Sequence, residues 1–239
     1  MPQSQIKKLS NLIRDNIIGY IREERVTTHS LFNIPIYFRE KFTSPIDLSE
    51  VITTIEDSVP KRFFYGIDAI IVGHLEEFEQ RNLNALLEDG AIYVSEQQDD
   101  EKDIVDDIIH ETAHNVENLY GDELYSDDKI EVEFLGKRKR LFHLLKSEYG
   151  EKINRWANMF LDVEYSAQFD EFLYKIIGYP KLTNITMGLF HDPYGATSLR
   201  EYFASGFEEY FLKGPDYLRT ISPHLHTKIQ RLTEKEKEA

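Results

Sequence analysis

Two histidines stand four residues apart in the segment DDIIHETAHNVENLYGDE, residues 106–123. They are His110 and His114, and Glu111 directly follows the first of them. On a helix, residues four apart lie one turn apart on the same face, so both imidazoles can reach one ion. Glu111 then lies beside that ion, where it can take a proton from water without being a ligand itself. This H-E-x-x-H spacing predicts a catalytic zinc site.

The same helix also has an ordinary interpretation. Its apolar residues form one broad stripe, whereas both histidines lie on the opposite side. The stripe comprises Ile104, Val105, Ile108, Ile109, Ala113, Val116 and Leu119. A helix of this kind can rest its apolar face on a sheet and keep its polar face in water. The context favours the metal site, because a strand precedes the helix, which is predicted over Asp103–Tyr120 with Gly121 as its stop.

A catalytic zinc ion needs a third protein ligand. The chain has no cysteine, so that ligand must be a histidine or a carboxylate. The metzincin pattern is excluded, because Glu117 and Tyr120 occupy the positions of its glycine and third histidine. The downstream candidates are Glu131, Glu133, Asp170, Glu171, Glu201, Glu208, Glu209, His191, His224 and His226.

The segment Asp192–Phe211 favours Glu201 among these candidates. Its aromatic residues form a stripe at helical spacing, and Glu201 lies nearly opposite the centre of that stripe. The ordinary interpretation is a solvated glutamate. However, Ala204 and Ser205 are small and lie one turn further on, so another helix can approach this face closely. We therefore predict a helix covered on both sides, with its aromatic face on the core and Glu201 facing the histidine helix.

This segment resembles the catalytic domain of anthrax lethal factor and the related Pro-Pro endopeptidases. Glu201-Tyr202-Phe203-Ala204-Ser205-Gly206-Phe207 matches a helix motif that a zinc-binding glutamate opens in that family, and Tyr194-Gly195 matches a pair seven residues before that glutamate. The resemblance implies a zincin-like fold of gluzincin type, in which Glu201 completes the zinc site and Tyr194 assists the chemistry. It covers only the histidine helix and this short segment.

The interval between His114 and Glu201 departs from the family, because it is longer than the resemblance leads us to expect. The extra residues predict an inserted helical segment within 122–180. Such a segment can reshape the substrate cleft, so the family's substrate preference is not carried over to this chain.

Other residues remain candidates for roles in the site. Glu208 lies on the same helix face as Glu201 and is the first alternative ligand. Glu133 is the next, because its distance from the histidines is about that of a thermolysin-like gluzincin. His191 precedes Tyr194 by three residues and is a candidate to line the substrate cleft.

The elements that must position these residues change in character along the chain. Strands are predicted at Ile34–Phe38, Ile67–Gly73 and Ala91–Glu96, and a helix is predicted to end before Pro60. The fold class is therefore predicted as α+β, with a small mixed sheet. An N-terminal α/β lobe over residues 1–121 carries the histidine helix, and a helical lobe over residues 122–239 carries the third ligand, both within one catalytic unit. Ala91–Ser95 is predicted to be an edge strand with which an extended peptide pairs.

Composition and charge limit the partners of the protein. The chain has 239 residues, 41% of them hydrophobic, which is enough for a substantial core. Its net charge of −15 argues against binding to nucleic acid or to anionic membranes. One basic cluster, Lys137–Arg140, is interpreted as a solvated loop or helix start. No apolar run approaches the ~20 residues of a membrane span, so the expected partner is a peptide or protein substrate.

The first residues predict an amphipathic helix rather than a signal peptide. Arg14, Asp15 and Asn16 interrupt the apolar run that a signal peptide requires. If Met1 is the natural start, the sequence predicts a cytoplasmic protein. If a leader has been removed, it predicts a secreted one.

The leading hypothesis is a zinc-dependent metalloendopeptidase. His110, His114 and Glu201 hold Zn2+, and Glu111 activates a zinc-bound water for attack on the peptide bond. Tyr194 donates a hydrogen bond to the oxyanion that forms. Two alternatives remain open. One is a zincin-fold binding or regulatory module without peptidase activity, against which Glu111 argues, and the other is a metal-dependent hydrolase of a non-peptide substrate.

Overall fold

A computed structural model describes residues 29–81 and 83–234. Five strands in this part of the chain form one sheet. They are β1 Ser30–Leu31, β2 Ile34–Phe38, β3 Ala69–Val72, β4 Ala85–Glu88 and β5 Ala91–Val94. Their order is β1-β2-β3-β5-β4, in which β2, β3 and β5 run parallel while β1 and β4 are antiparallel to their neighbours. The helix predicted near the N-terminus lies outside the described residues.

Helices make up most of the remaining structure. They are α1 Leu48–Ser58, α2 Glu76–Arg81, α3 Glu101–Tyr125, α4 Lys129–Tyr149, α5 Ala167–Glu171, α6 Tyr179–Thr186, α7 Leu199–Glu208, α8 Pro215–Ile221 and α9 Pro223–Glu234. Segments of 3₁₀-helix occupy Lys61–Phe64, Gly150–Leu161 and Tyr194–Ala196, and π-helical turns occupy Phe172–Ile177 and Glu209–Lys213. The predicted α+β class with a small mixed sheet is confirmed, as is the helix that ends before Pro60.

The hairpin of β4 and β5 corrects the predicted sheet edge. Asp89 and Gly90 join the two strands with φ angles of 47° and 79°, the left-handed conformation that a two-residue hairpin turn requires. β5 therefore lies between β3 and β4 in the sheet. The prediction that Ala91–Ser95 forms an edge is wrong, because the short strand before the turn, Ala85–Glu88, takes that position.

Helix α3 starts earlier and ends later than predicted. The Asp100 side chain caps its start by accepting hydrogen bonds from the backbone N–H groups of Lys102 and Asp103. Gly121 does not end it, because only Tyr120 leaves the helical region (φ −125°, ψ 18°) and the helix then continues to Tyr125. Leu124 is fully buried, so core packing carries α3 past the glycine. The predicted lobe boundary at residues 121 and 122 falls inside this helix.

The two predicted lobes share one hydrophobic core. A single cluster of buried side chains joins the sheet, α3, α4 and α7, for example through Ile70, Ile92, Ile109, Phe134 and Phe203. The apolar stripe of α3 is buried in this core as predicted, except for Leu119, which is 45% exposed. Among the helices within residues 29–81 and 83–234, none combines the length and the apolar character needed to cross a membrane.

Half of the basic cluster is buried, whereas Lys139 and Arg140 are exposed. It lies in the middle of α4, and Lys137 and Arg138 are buried there. The Lys137 ammonium donates to the backbone oxygens of Leu189 (2.6 Å) and Ile221 (2.7 Å). The Arg138 guanidinium lies 4.3 Å from the ring centroid of Phe169. The interpretation fails for these two residues, because the carbonyl groups and rings that cover them come from distant parts of the chain.

Candidate metal centre

Three side chains from two helices converge at one point. His110 and His114 project from α3, and Glu201 projects from the first turn of α7. Glu201 Oε2 lies 3.0 Å from His110 Nε2, and Glu201 Oε1 lies 3.8 Å from His114 Nε2. One ligand atom from each of the three side chains lies within 4.8 Å of the other two. The structure thus brings together the three residues predicted as metal ligands.

The polar face of α3 is covered rather than solvated. Glu111, His114 and Glu117 are each less than 10% exposed. The two imidazole rings lie 5.0 Å apart, nearly perpendicular to each other. The ordinary interpretation of α3, with its polar face in water, is therefore wrong.

Helix α7 is held from both sides, as predicted. The Ser198 hydroxyl caps its start by accepting a hydrogen bond from the Glu201 N–H (3.2 Å). A Cβ atom at Gly206 would lie 2.3 Å from Leu225 Cδ2, so a larger residue would displace the Leu225 side chain of α9. Three aromatic residues fill the core side of the helix, namely Tyr202, Phe203 and Phe207. This packing fixes the backbone from which Glu201 faces α3.

Each histidine is also bound on its other ring nitrogen by a carboxylate. Glu208 bonds to His110 Nδ1, and Glu117 lies 3.1 Å from His114 Nδ1. An Nδ1–H that donates to a carboxylate leaves the Nε2 lone pair free for a metal ion and fixes the orientation of the ring. Glu208, the first alternative ligand, therefore lies behind His110 rather than within the group of three.

Glu117 is the most extensively bonded of these carboxylates. Besides His114, it accepts hydrogen bonds from the Tyr125 hydroxyl and from Arg200 Nε (3.3 Å). Burial, together with the Glu117 charge, raises the pKa of Tyr125 above its ordinary value, so the phenol stays a donor. Sequence reasoning did not assign Glu117 a role. Its position three residues after His114, on the same helix face, was the signal that could have found it.

The carboxylates around the two histidines favour positive charge in this group. Burial opposes a charge on His110, but hydrogen bonds to Glu201 and Glu208 hold the pKa of His110 well above its ordinary value. Burial likewise opposes a charge on Glu201, yet His110 and His114 lower the pKa of Glu201. Two imidazole nitrogens and one carboxylate oxygen, with a carboxylate behind each ring, are the donor chemistry that zinc takes in proteins. The residues present therefore fit a zinc ion.

Glu111 lies next to this group but points elsewhere. Its Oε2 accepts a hydrogen bond from the backbone N–H of Leu87 in β4, at 2.7 Å. The side chain is only 8% exposed. The carboxylate of the predicted general base is thus held by the outer strand of the described sheet.

Tyr194 occupies a short 3₁₀ turn beside His110. Its ring centroid lies 6.4 Å from that of His110. The turn is closed by Asp192, which accepts from the Tyr194 N–H, and by the Thr197 hydroxyl, which donates to the Tyr194 carbonyl. Burial and the nearby charge of Glu201 raise the pKa of Tyr194 above its ordinary value. The phenol consequently keeps its proton and can donate a hydrogen bond.

His191 lies on a different side of α7 from the metal group. Its ring stacks on Tyr202 at a centroid distance of 6.1 Å, and its Nε2 lies 3.5 Å from the Ser222 hydroxyl. Burial and the Lys137 charge lower the pKa of His191 to about 3. The contacts of His191 are with the core side of α7, whereas Glu201 faces α3, so the structure does not place it where a substrate cleft would be.

Glu133, the second alternative ligand, caps a helix instead. Its carboxylate accepts hydrogen bonds from the backbone N–H groups of His224 (2.9 Å) and Leu225 (3.2 Å) at the start of α9. It also accepts from the Tyr202 hydroxyl (2.9 Å). Both oxygens of Glu133 are thus bonded to groups other than His110 and His114.

The chain matches no protein-family model, no curated protein and no solved structure.

Proposed function

We propose that the protein is a zinc-dependent metalloendopeptidase with a zincin-like active site. One observation carries the proposal: His110, His114 and Glu201 converge from two helices within 4.8 Å, and Glu111 stands directly beside them in the chain. The similarity of the Glu201 segment to lethal factor and the Pro-Pro endopeptidases supports the same assignment.

His110, His114 and Glu201 hold the zinc ion in this proposal. When bound, zinc supplies a Lewis acid that polarises a carbonyl group and lowers the pKa of water. Glu208 and Glu117 orient the two imidazoles by accepting from their Nδ1–H groups. The chain thus provides the three protein ligands of a catalytic zinc site, in which the fourth position takes water or substrate.

Glu111 and Tyr194 carry out the proton transfer and the charge stabilisation. Glu111 takes a proton from the attacking water and later gives it to the leaving amine. The Tyr194 hydroxyl, kept protonated by its surroundings, donates a hydrogen bond to the carbonyl oxygen as negative charge develops there.

The sheet edge supports a peptide as the substrate. β4 is the outer strand of the described sheet, next to β5, and its Leu87 touches Glu111. An extended peptide that pairs with this edge would run past Glu111 and the metal ligands. This observation favours a peptidase over a hydrolase of small non-peptide molecules.

Cleavage of a peptide library tests the proposal. Metal-free protein is supplied with zinc and incubated with the library, and the products are identified by mass spectrometry. We expect zinc-dependent cleavage that is lost in Glu111→Gln, although this variant keeps zinc. Asp122→Asn, which neutralises an exposed carboxylate on the same helix, should cleave as the wild type does. If the zinc-loaded wild type cleaves nothing, or if Glu111→Gln cleaves at the wild-type rate, the proposal is wrong.

A further inference from the structure

The outer edge of β4 in the described sheet carries a polar contact with the candidate site. Antiparallel residue pairs alternate between those that exchange hydrogen bonds and those that do not. The hydrogen-bonded pairs of the β4–β5 hairpin are Glu88 with Ala91 next to the turn and then Leu86 with Tyr93. Beyond them, the Ser95 N–H donates to the Asn84 carbonyl. The backbone N–H groups of the intervening residues, Ala85 and Leu87, therefore point away from β5.

One of these outward N–H groups is occupied. Leu87 N–H donates to Glu111 Oε2 at 2.7 Å. Among residues 29–81 and 83–234, Leu87 is the one hydrogen-bond donor to the Glu111 side chain. A buried carboxylate held by a single backbone donor has one fixed oxygen, and its other oxygen remains available for chemistry.

The contact lies where a strand partner would otherwise bind. A peptide carbonyl that paired with Leu87 would place its oxygen about 2.9 Å from the amide nitrogen, which is the space that Glu111 Oε2 occupies. An extended peptide on this edge can thus use the Ala85 N–H but not the Leu87 N–H. The peptide carbonyl opposite Leu87 is left without a strand partner, and its oxygen is free to accept a hydrogen bond from the Tyr194 hydroxyl.

We propose that the Leu87 amide is a positioning group for Glu111, and that the reacting peptide carbonyl lies opposite Leu87. The inference rests on the proposed function, because it assigns the held carboxylate to the general base. Leu87 acts through Glu111 rather than by touching the reacting atoms. Ala85, two residues away on the same edge, supplies a pairing donor to the peptide instead.

Amide hydrogen exchange measured by NMR tests the contact without any activity assay. In the wild type, the Leu87 amide should exchange slowly because it is hydrogen-bonded. In Glu111→Ala its exchange should accelerate by about tenfold or more, since a hydrogen bond of ~1.4 kcal/mol corresponds to a factor of ten. Glu111→Gln keeps an acceptor oxygen and should retain much of the protection, and the Ala85 amide should change in neither variant. An unchanged Leu87 rate in Glu111→Ala overturns the proposal.

Steady-state kinetics distinguish the role of the Leu87 amide from that of the Ala85 amide. Proline lacks the N–H and is tolerated in edge strands, so Leu87→Pro and Ala85→Pro form a matched pair. Leu87→Pro should lower kcat by about 10²-fold, the cost of a misplaced reacting group, with KM and zinc content nearly unchanged. Ala85→Pro should raise KM and leave kcat nearly unchanged. Equal effects of the two variants on kcat and KM contradict the positioning role.

A backbone ester at position 87 covers the case in which Leu87→Pro does not fold. It replaces the N–H by oxygen and keeps the leucine side chain, so it should reproduce the loss of kcat. A wild type that cleaves no peptide overturns the proposed function, whereas the exchange experiment alone decides whether Leu87 holds Glu111. An ester variant with wild-type kcat refutes the positioning role even where the proposed function holds.

Discussion

Replacing Glu117 with glutamine tests how the site is supported from behind. Glu117→Gln keeps the size of the side chain and removes the charge that binds His114 Nδ1 (3.1 Å). The carboxylate is 8% exposed and also bonds to Tyr125 and Arg200. The glutamine amide cannot accept from three donors as a carboxylate does, so the orientation of His114 is loosened.

The expected magnitude follows from these contacts. Loss of a partner behind a metal-bound histidine typically lowers metal affinity by about 10–100-fold, or ~1.4–2.8 kcal/mol. The Arg200 pair contributes at most about 1 kcal/mol to folding, because its side chain is 55% exposed. The buried bonds to His114 and Tyr125 are worth more, and their weakening should destabilise the metal-free protein by ~1.5–3 kcal/mol.

Zinc titration against a competing chelator measures the first effect, and denaturant unfolding of the metal-free protein measures the second. Glu209→Gln is the matched control, because Glu209 is also buried (6%) but pairs with Lys213 at 3.3 Å. We expect this control to lose stability without losing zinc affinity. The reasoning is refuted if Glu117→Gln binds zinc within about twofold of the wild type, or if Glu209→Gln weakens zinc binding equally.

Three further results are expected. Glu201→Ala should weaken zinc binding strongly in a chelator titration, whereas Glu133→Ala, which removes a helix cap, should not; the reverse order contradicts the ligand choice. Tyr194→Phe should lower kcat by ~10²–10³-fold with zinc content and KM nearly unchanged, and an unchanged kcat would return Tyr194 to a packing role. Burial lowers the pKa of Lys137 to about 8, so the unfolded chain binds more protons above that pH and stability should rise by ~2 kcal/mol between pH 8 and 10. Lys137→Met should lack this rise in denaturant unfolding, and an equal rise in both proteins rules out Lys137 as its source.

The histidine helix could be predicted from the sequence because its chemistry is local. A spacing of four residues places His110 and His114 together on any helix, whatever the remaining fold. The position of Glu201 could not be predicted from local spacing, because its distance from the histidines depends on how α7 packs against α3. The aromatic stripe of α7 indicated which face of this helix packs in the core, and the family resemblance selected Glu201 from the many carboxylates.

The misassigned elements were those decided by contacts distant in sequence. β4 has only four residues, Ala-Leu-Leu-Glu, without the alternation that marks a half-buried strand, so the sequence predicts β5 rather than β4 as the edge. Gly121 looked like a helix stop, but burial of Leu124 outweighs the modest cost of a glycine within a helix. The burial of Lys137 could not be foreseen, because its acceptors lie 52 or more residues further along the chain.

The contacts that hold His110 and Glu111 in place could also not be predicted from the sequence. Glu208 is predicted as an alternative ligand but binds Nδ1 of His110 instead. It lies about two helical turns beyond Glu201, and only the packing of α7 against α3 decides which carboxylate meets which ring nitrogen. The Leu87 amide has no sequence signature at all, because every residue except proline carries a backbone N–H. Only the register of the hairpin shows that this N–H faces Glu111.

The zinc stoichiometry of the protein tests the central claim most directly. Protein purified without added metal, and then protein equilibrated with zinc, is analysed for zinc per chain beside the His110→Ala variant. We expect one tightly held zinc ion per wild-type chain and a marked loss in the variant. A wild type that takes up no zinc, or a variant that retains it undiminished, would contradict the account.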